Sequence, residues 1–226
     1  MWTVPTRTPT TPAAKPAKPA AARATYRHGD LRRALLEAAV QLAREGGPGA
    51  VVLREATRRA GVVPNAAYRH FASHRDLLKA VRAVALSEVA NSMEAELAAL
   101  GPPRKGIPYA RASLRAVGAG YLKFALTQTG LFRTAFAVPF ELESPPNPAA
   151  AGAGGLNPFE LLSAALDRLQ RAGALSDAQR PGAEFLAWSA VHGMALLAID
   201  GPLRGLPPPR FEALCQRLLE MVERGL

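Results

Sequence analysis

The chain has 226 residues, 49% of them hydrophobic, which is enough for one ordinary core or two small ones. Its single cysteine, Cys215, can form no internal disulfide and lacks the companions of a zinc site, so we expect a reducing compartment, the cytoplasm. No apolar run approaches the ~20 residues of a membrane-spanning helix, and the N-terminus has no signal-peptide core. We therefore expect a soluble protein with no membrane partner.

The net charge of +10 is concentrated at the front of the chain. Residues 1–83 carry 15 Lys and Arg against 5 Asp and Glu, whereas residues 84–226 carry 13 of each kind. Such asymmetry is expected when one part of a protein meets nucleic-acid phosphates and the other does not. A merely solubilising basic surface is the alternative, but it does not explain why the excess lies in one third of the chain.

The first 24 residues, "MWTVPTRTPTTPAAKPAKPAAARA", contain basic residues and prolines but no acid. This composition predicts an extended, disordered tail. It also fits an organelle transit peptide, although the prolines and the missing amphipathic period argue against one.

The remainder reads as all-α, without a period-2 strand. In "DLRRALLEAAVQLAREGG", apolar residues recur at helical spacing, with Asp30 as the predicted cap and residues 46–48 as the stop. "LREATRRAG" predicts a second helix of about two turns, closed by Gly61. Pro64 suits the first turn of a third helix, which we expect to end near Phe71. Two short helices joined by a tight glycine turn predict a helix-turn-helix.

Ser73 and Asp76 resemble a capping box that starts a long helix over residues 74–100, joining the basic and neutral halves. The Pro/Ala/Gly segment 139–157 is predicted to be a mobile loop. Further helices are predicted near residues 109–127, 130–137, 158–172, 178–199 and 209–224. The expected organisation is a tail over 1–24, a helix-turn-helix domain over 25–80 and a helical domain over 81–226.

The third helix, "PNAAYRH", has residues suited to a helix that enters the major groove. Ala66 permits close approach, Asn65 can hydrogen-bond, and Tyr68 can reach a phosphate or pack on a sugar. The alternative is that Tyr68 is a half-buried anchor while Arg69 and His70 form a solvated face. The residues predicted to contact DNA are Arg27, Arg54, Pro64, Asn65, Ala66, Tyr68, Arg69, His70 and His74.

Two stretches, "YRHGDLRRALLEAAVQLAREGG" and "LREATRRAGVVPNAAYRHFASHRDLL", together resemble the DNA-binding domain of the TetR family of bacterial transcriptional repressors, over about residues 26–80. "WSAVHGMALLAIDGPL" further resembles the tryptophan, histidine, glycine (WHG) segment of one C-terminal subgroup of that family. The resemblance implies a helical ligand-sensing and dimerisation domain after the DNA-binding domain. It also implies three partners, namely double-stranded operator DNA, a small-molecule effector and a second copy of the chain, and it implies no cofactor.

The chain departs from the family at two helix starts. Val52 and Val63 stand where the family usually has Thr or Ser, and each lost cap costs of order 1 kcal/mol. The groups expected to compensate are Arg54, Arg58, His74 and the basic tail. Ahead of the first helix, a basic arm that follows the backbone or enters the minor groove, or else is simply solvated, would comprise Arg23, Arg27 and His28.

One such domain contacts few base pairs, so useful specificity requires a twofold dimer with half-sites about 34 Å apart. The last two helices carry apolar residues at helical spacing that predict the interface, although an intramolecular core is the alternative. The predicted interface residues are Ala187, Ala190, Val191, Met194, Ala198, Phe211, Leu214, Leu218 and Val222.

Large side chains amid many alanines predict a mainly apolar ligand pocket, although aromatic residues at this spacing also form ordinary cores. The predicted pocket residues are Met93, Phe124, Phe132, Phe136, Phe159 and Trp188, with His192 as the polar group. His192 fits a satisfied structural histidine better than a ligand contact. The four histidines and one cysteine show no metal-ligand spacing, so no metal is expected.

The resemblance implies a repressor whose dimer binds a palindromic operator. A small molecule then shifts helix 74–100 and weakens DNA binding. The sequence has no Gly-rich phosphate fingerprint, zinc spacing or recognised nucleophile setting, so we do not expect an enzyme. An architectural, sequence-indifferent DNA-binding protein remains the alternative function.

Overall fold

The computed structural model describes residues 28–137 and 147–226, and these are all-α, without a strand. The predicted tail over 1–24 and the arm residues Arg23 and Arg27 lie outside the described residues, as do the side chains of His28, Asp30, Pro64 and Asn65. The helices are α1 (His28–Gly46), α2 (Leu53–Arg59), α3 (Pro64–Ala67), α4 (His74–Ala99), α5 (Ile107–Thr127), α6 (Thr129–Ala135), α7 (Pro158–Arg171), α8 (Ala183–Ile199) and α9 (Pro208–Gly225).

Helices α1 to α3 form the small N-terminal unit around a core that includes the buried Leu35, Val51 and Phe71. Arg59 of α2 holds α1 through two bonds of 2.7 Å to the carboxylate of Glu45. That hydrogen bond lowers the pKa of Glu45. This bidentate ion pair links α1 to α2 on the outer side of the unit.

Two predicted helix starts and one predicted loop differ from the structure. α1 begins at His28, so Asp30 lies inside its first turn rather than at the cap. α8 begins at Ala183 instead of near 178, because Gly182 takes a left-handed φ of 77° directly before it. Residues 138–146 of the predicted loop lie outside the described residues.

The described part of that loop, residues 147–157, is held against α4 rather than being mobile. Ser87 donates its hydroxyl to the carbonyl of Ala151 at 2.6 Å, and the amide of Ala153 donates to Asn91 Oδ1 at 2.8 Å. The amide of Gly154 donates to the Glu94 carboxylate at 3.1 Å. These three polar groups of α4 replace the water that a free loop would bind.

The 26-residue α4 packs closely on α5. A Cβ on Gly120 would lie 2.5 Å from Cα of Met93, so only glycine allows this approach. Ser92 donates its hydroxyl to the Gly120 carbonyl at 2.8 Å, which fixes the contact. As predicted, α4 joins the N-terminal unit to the helices that follow.

Candidate DNA-reading surface and aromatic cluster

A tight turn joins α2 to α3. Gly61 has a φ of 67°, and its amide donates to the carbonyl of Arg58 at 3.3 Å. The amide of Val62 donates to the carbonyl of Thr57 at 3.0 Å, which completes the two bonds of a Schellman motif. The predicted helix-turn-helix is therefore present, with the glycine where the left-handed backbone requires it.

The third helix is shorter than predicted. α3 ends at Ala67, and residues 68–70 form a turn in which the amides of His70 and Phe71 both donate to the Ala67 carbonyl. Phe71 is only 2% exposed, so its burial draws the chain inward and ends the helix. Tyr68, Arg69 and His70 consequently stand on a turn rather than on a helix, and this segment, residues 68–70, is the candidate reading turn.

Tyr68 is 59% exposed, so the structure does not support the half-buried anchor that the sequence left open. Arg69 is also exposed, whereas Ala66 and His70 are partly buried. An exposed aromatic ring beside an exposed guanidinium can meet both a sugar and a phosphate.

Val52 and Val63 occupy the N-caps of α2 and α3 without a side-chain cap, as predicted. Ser73 does cap α4, accepting from the Asp76 amide at 3.1 Å. His74 Nε2 lies 2.6 Å from the carbonyl of Val51, so this predicted DNA contact ties the start of α4 to the segment before α2. This contact fixes the position of α4 relative to α2.

The cations on or beside the candidate DNA-reading surface, which comprises α2, α3 and the candidate reading turn, differ in how they are paired. Arg58 forms an ion pair with Glu55, and that hydrogen bond helps to lower the pKa of Glu55 to about 2. The guanidinium groups of Arg54 and Arg69 have no hydrogen-bond or ion-pair partner among the residues that the structure describes. Arg32, which the sequence reasoning missed, lies 5.1 Å over the ring of Phe71 and so stands beside the reading turn.

Five of the seven predicted ligand residues form one aromatic cluster. The ring of Phe136 lies 5.0 Å from that of Phe132, 4.9 Å from that of His192 and 6.0 Å from that of Trp188. Phe159 joins the cluster 6.3 Å from Trp188. Phe132 is 1% exposed, whereas the other four are partly buried, so solvent reaches the part of the cluster that these four form, its accessible side.

Tyr121 of α5 completes the cluster and was missed by the sequence reasoning. Its hydroxyl oxygen lies 2.7 Å from His192 Nδ1, and Trp188 Nε1 donates to it at 3.1 Å. Burial raises the pKa of Tyr121 and lowers the pKa of His192, so both rings are uncharged near neutral pH. A buried tyrosine needs a partner for its hydroxyl, and a Trp and a His spaced four apart could have indicated one.

Two predicted ligand residues are core residues instead. Met93 and Phe124 are 2% and 4% exposed, and neither makes a ring contact with the cluster in the described part of the chain. A separate groove of about 220 Å³ lies at the α4–α5 turn, and none of the seven predicted residues lines it. Its lining comprises Leu100, Arg104, Lys105, Pro108, Tyr109 and Ala112.

Much of the predicted interface stripe packs inside the protomer. Ala187, Val191 and Phe211 are buried, and Val191 approaches Gly118 of α5. The partly buried Met194, Leu218 and Val222 also pack against this core, which favours for them the intramolecular alternative that the sequence left open. Ala190, Ala198 and Leu214 are partly buried. The large apolar residues that α8 and α9 leave exposed are Phe185, Leu186, Leu196, Leu197 and Met221.

Helix α6 connects the aromatic cluster to the N-terminal unit. A Cβ on Gly130 would lie 2.2 Å from the carbonyl oxygen of Ala43, so α6 touches the end of α1 backbone to backbone. Arg44 of α1 donates both to Glu88 of α4, at 2.6 Å, and to Gln128 directly before α6. The same α6 carries Phe132 of the cluster.

Known proteins support this description at both ends of the chain. A model described as "Bacterial regulatory proteins, tetR family" matches residues 35–81, and one described as "Tetracyclin repressor-like, C-terminal domain" matches residues 114–222. No curated protein matches the chain significantly.

Solved structures share the fold along nearly the whole chain. A protein with unknown function from Rhodococcus sp. RHA1 is 25% identical, with a TM-score of 0.68, covering 90% of this chain and 99% of that one. The TetR family regulator PfmR from Thermus thermophilus is 19% identical, with a TM-score of 0.52, covering 85% and 95%. FadR from Bacillus subtilis, solved with stearoyl-CoA, is 15% identical, with a TM-score of 0.58, covering 86% and 98%.

The helix-turn-helix and the helical domain behind it define a DNA-binding transcriptional regulator. The chain belongs to the TetR family, whose members are regulators and not enzymes. In the described ranges, no helix has both the length and the apolarity for a membrane crossing. The same ranges contain no group of three or more His, Cys, Asp or Glu that could hold a metal ion.

Proposed function

We propose that the protein is a ligand-responsive repressor that binds a palindromic operator as a homodimer in the cytoplasm. The observation that carries this proposal is the exposed turn of Tyr68 and Arg69 directly after α3, together with Arg54, which no described residue pairs. Exposed aromatic and cationic groups next to a helix-turn-helix have phosphates and sugars as their natural partners. The N-terminal excess of positive charge favours the same surface.

Dimerisation is supported by α8, which has no charged residue between 185 and 199. Its residues Ala187, Val191 and Ala195 pack into the protomer, yet Leu186 on another side is 65% exposed. A helix that is apolar on all sides is normally buried on all sides, so we expect a second copy of the chain to pack against the exposed side. A Cβ at Gly193 would meet nothing within 4 Å, which leaves room for a partner helix to approach closely.

The proposed interface is centred on the exposed apolar residues of α8, beside the stripe that the sequence predicted. Leu186→Glu should therefore yield a monomer in sedimentation equilibrium, because a charge would be buried without a partner. Leu126 of α5 is also exposed, at 40%, and lies on another helix, so Leu126→Glu is the matched control. A dimer that survives Leu186→Glu but not Leu126→Glu would place the interface elsewhere.

Ligand response is proposed to run from the aromatic cluster through α6 as well as through α4. Phe132 places α6 in the cluster, Gly130 touches α1, and Arg82 of α4 donates to the carbonyl of Ala135 at 2.9 Å. A ligand that displaces α6 therefore moves α1 and α4 together, and with them the separation of the two reading turns. A coupling free energy of about 1–3 kcal/mol would change operator affinity about 5- to 150-fold.

A solved structure of similar fold contains a bound small molecule. The structure of FadR from Bacillus subtilis holds stearoyl-CoA in a protein of the same architecture. The accessible side of the present cluster is a place where a small molecule could contact both α6 and α8. An architectural, sequence-indifferent DNA binder is the second candidate function, and the basic front of the chain favours it.

The test of the DNA assignment is Tyr68→Ala in the full chain. We expect it to abolish binding to the operator while helical content and dimer mass stay unchanged, because the Tyr68 side chain is largely exposed. Leu126→Ala, another exposed position remote from α3, should bind like the parent protein. Parental affinity in Tyr68→Ala would show that the reading surface lies elsewhere.

A further inference from the structure

The polar contacts inside the aromatic cluster determine which atom of His192 carries its proton. The indole Nε1–H of Trp188 can only donate, and it donates to the hydroxyl oxygen of Tyr121. The hydroxyl hydrogen of Tyr121 then needs an acceptor, since the side chain is 4% exposed. The described residues offer it His192 Nδ1, at 2.7 Å.

These two hydrogen bonds leave one hydrogen-bonding group of the cluster without a described partner. Because Nδ1 accepts, an uncharged His192 must carry its hydrogen on Nε2. No described residue accepts from Nε2, and His192 is only partly buried. Desolvation, which lowers the pKa of His192, keeps the ring in this uncharged, single-donor form near neutral pH.

The surroundings of this donor are aromatic. The ring of His192 lies 4.9 Å from that of Phe136, 5.6 Å from that of Phe132 and 6.1 Å from that of Trp188. Two charged groups near the cluster are already engaged: Glu184 lies 2.8 Å from Arg180, and Arg82 donates to the carbonyl of Ala135, the residue before Phe136. An ionic ligand would therefore have to compete with these contacts for its counter-ion while losing its water.

We propose that the accessible side of this cluster binds an uncharged, ring-containing effector whose oxygen accepts a hydrogen bond from His192 Nε2–H. Trp188 and Tyr121 act as positioning residues, because they fix the histidine in the donor form without touching the oxygen. This inference rests on the proposed ligand response and names its ligand class. It also assigns the polar member of the cluster a direct role, whereas the sequence favoured a structural one.

Three probes of one ring size test the class on the full-length dimer: 1-indanone, indane and indane-1-carboxylate. Their dissociation constants are measured by ligand-observed NMR titration at pH 7.5. Because a neutral hydrogen bond contributes modestly, indanone should bind about 2- to 12-fold more tightly than indane. The carboxylate should bind more weakly than indanone, since the neighbouring cations are already engaged and do not compensate its lost hydration.

Two variants identify the donor. His192→Phe keeps an aromatic ring and should reduce the indanone preference to about one while indane binding is retained. Tyr121→Phe frees Nδ1 to take the hydrogen and should also reduce the preference, which a purely structural tyrosine would not do. If the preference persists in His192→Phe, if the carboxylate binds most tightly, or if no probe binds, the inference is wrong.

Failure of this inference is distinguishable from failure of the proposed function. Operator binding is measured on the parent protein without any probe. A chain that binds its operator but prefers the carboxylate refutes the ligand class alone. A chain that discriminates the probes as expected but binds no operator refutes the DNA assignment alone.

Discussion

The contact between α6 and α1 can be tested with a substitution that adds one methyl group to α6. In Gly130→Ala, the added Cβ would stand 2.2 Å from the carbonyl oxygen of Ala43 and 2.5 Å from that of Arg44. Both are backbone atoms, so no side-chain rotation relieves the overlap. Ordinary contacts of a Cβ begin near 3.4 Å, so the two helices must separate by about 1 Å.

The free energy lost by separating the helices exceeds the stabilisation that alanine gives a helix. Overpacking of a close contact costs about 1–3 kcal/mol, and the backbone position of the clash favours the upper part of that range. The better helix propensity of alanine returns at most about 1 kcal/mol. A net loss of about 1–2 kcal/mol lowers the melting temperature of a chain of this length by about 2–8 °C.

The measurement is calorimetric unfolding at fixed protomer concentration, because dimerisation makes the midpoint concentration-dependent. Gly49→Ala is the matched control, since a Cβ there meets nothing within 4 Å and its backbone φ is not positive. It should unfold at or slightly above the parent temperature. If Gly130→Ala is as stable as Gly49→Ala, the backbone contact between α6 and α1 does not exist as described.

Two further predictions concern the reading surface and the cluster. Arg54→Ala should reduce the slope of log affinity against log salt concentration by about 1. Arg58→Ala should reduce this slope by less, because Glu55 already neutralises Arg58. Equal slopes for the two variants, from DNA titrations at several salt concentrations, would contradict this. Burial lowers the pKa of His192, so the unfolded chain takes up its proton first and stability falls as pH drops below about 6.5. Urea midpoints of His192→Phe should fall less than those of the parent between pH 6.5 and 5, and parallel curves would count against a neutral, buried ring.

Local signals in the sequence were sufficient for most of the helical boundaries. Gly61 and Ser73 act within one turn of their own helices, so their types alone predicted the tight glycine turn after α2 and the α4 cap. The end of α3 was not predictable in this way. It depends on Phe71 being drawn into a core built from other helices.

The orientation of α8 could not be predicted from local sequence either. Apolar residues lie on every side of this helix, so helical spacing could not tell which side packs on α5 and which remains exposed. The structure turns Val191 inward and leaves Leu186, which was not among the predicted interface residues, 65% exposed. Tyr121 was missed because its partners lie 67 and 71 residues away in sequence.

The most direct test of DNA-binding regulation is a footprint of the full chain on DNA flanking its own gene, with affinity measured against random DNA of equal length at about 0.15 M salt. A sequence-specific dimer should protect an inverted repeat with half-sites about 34 Å apart and bind it about 10³-fold or more tightly than random DNA. Equal affinity for both DNAs, with no protected repeat, would contradict the account and favour an architectural binder.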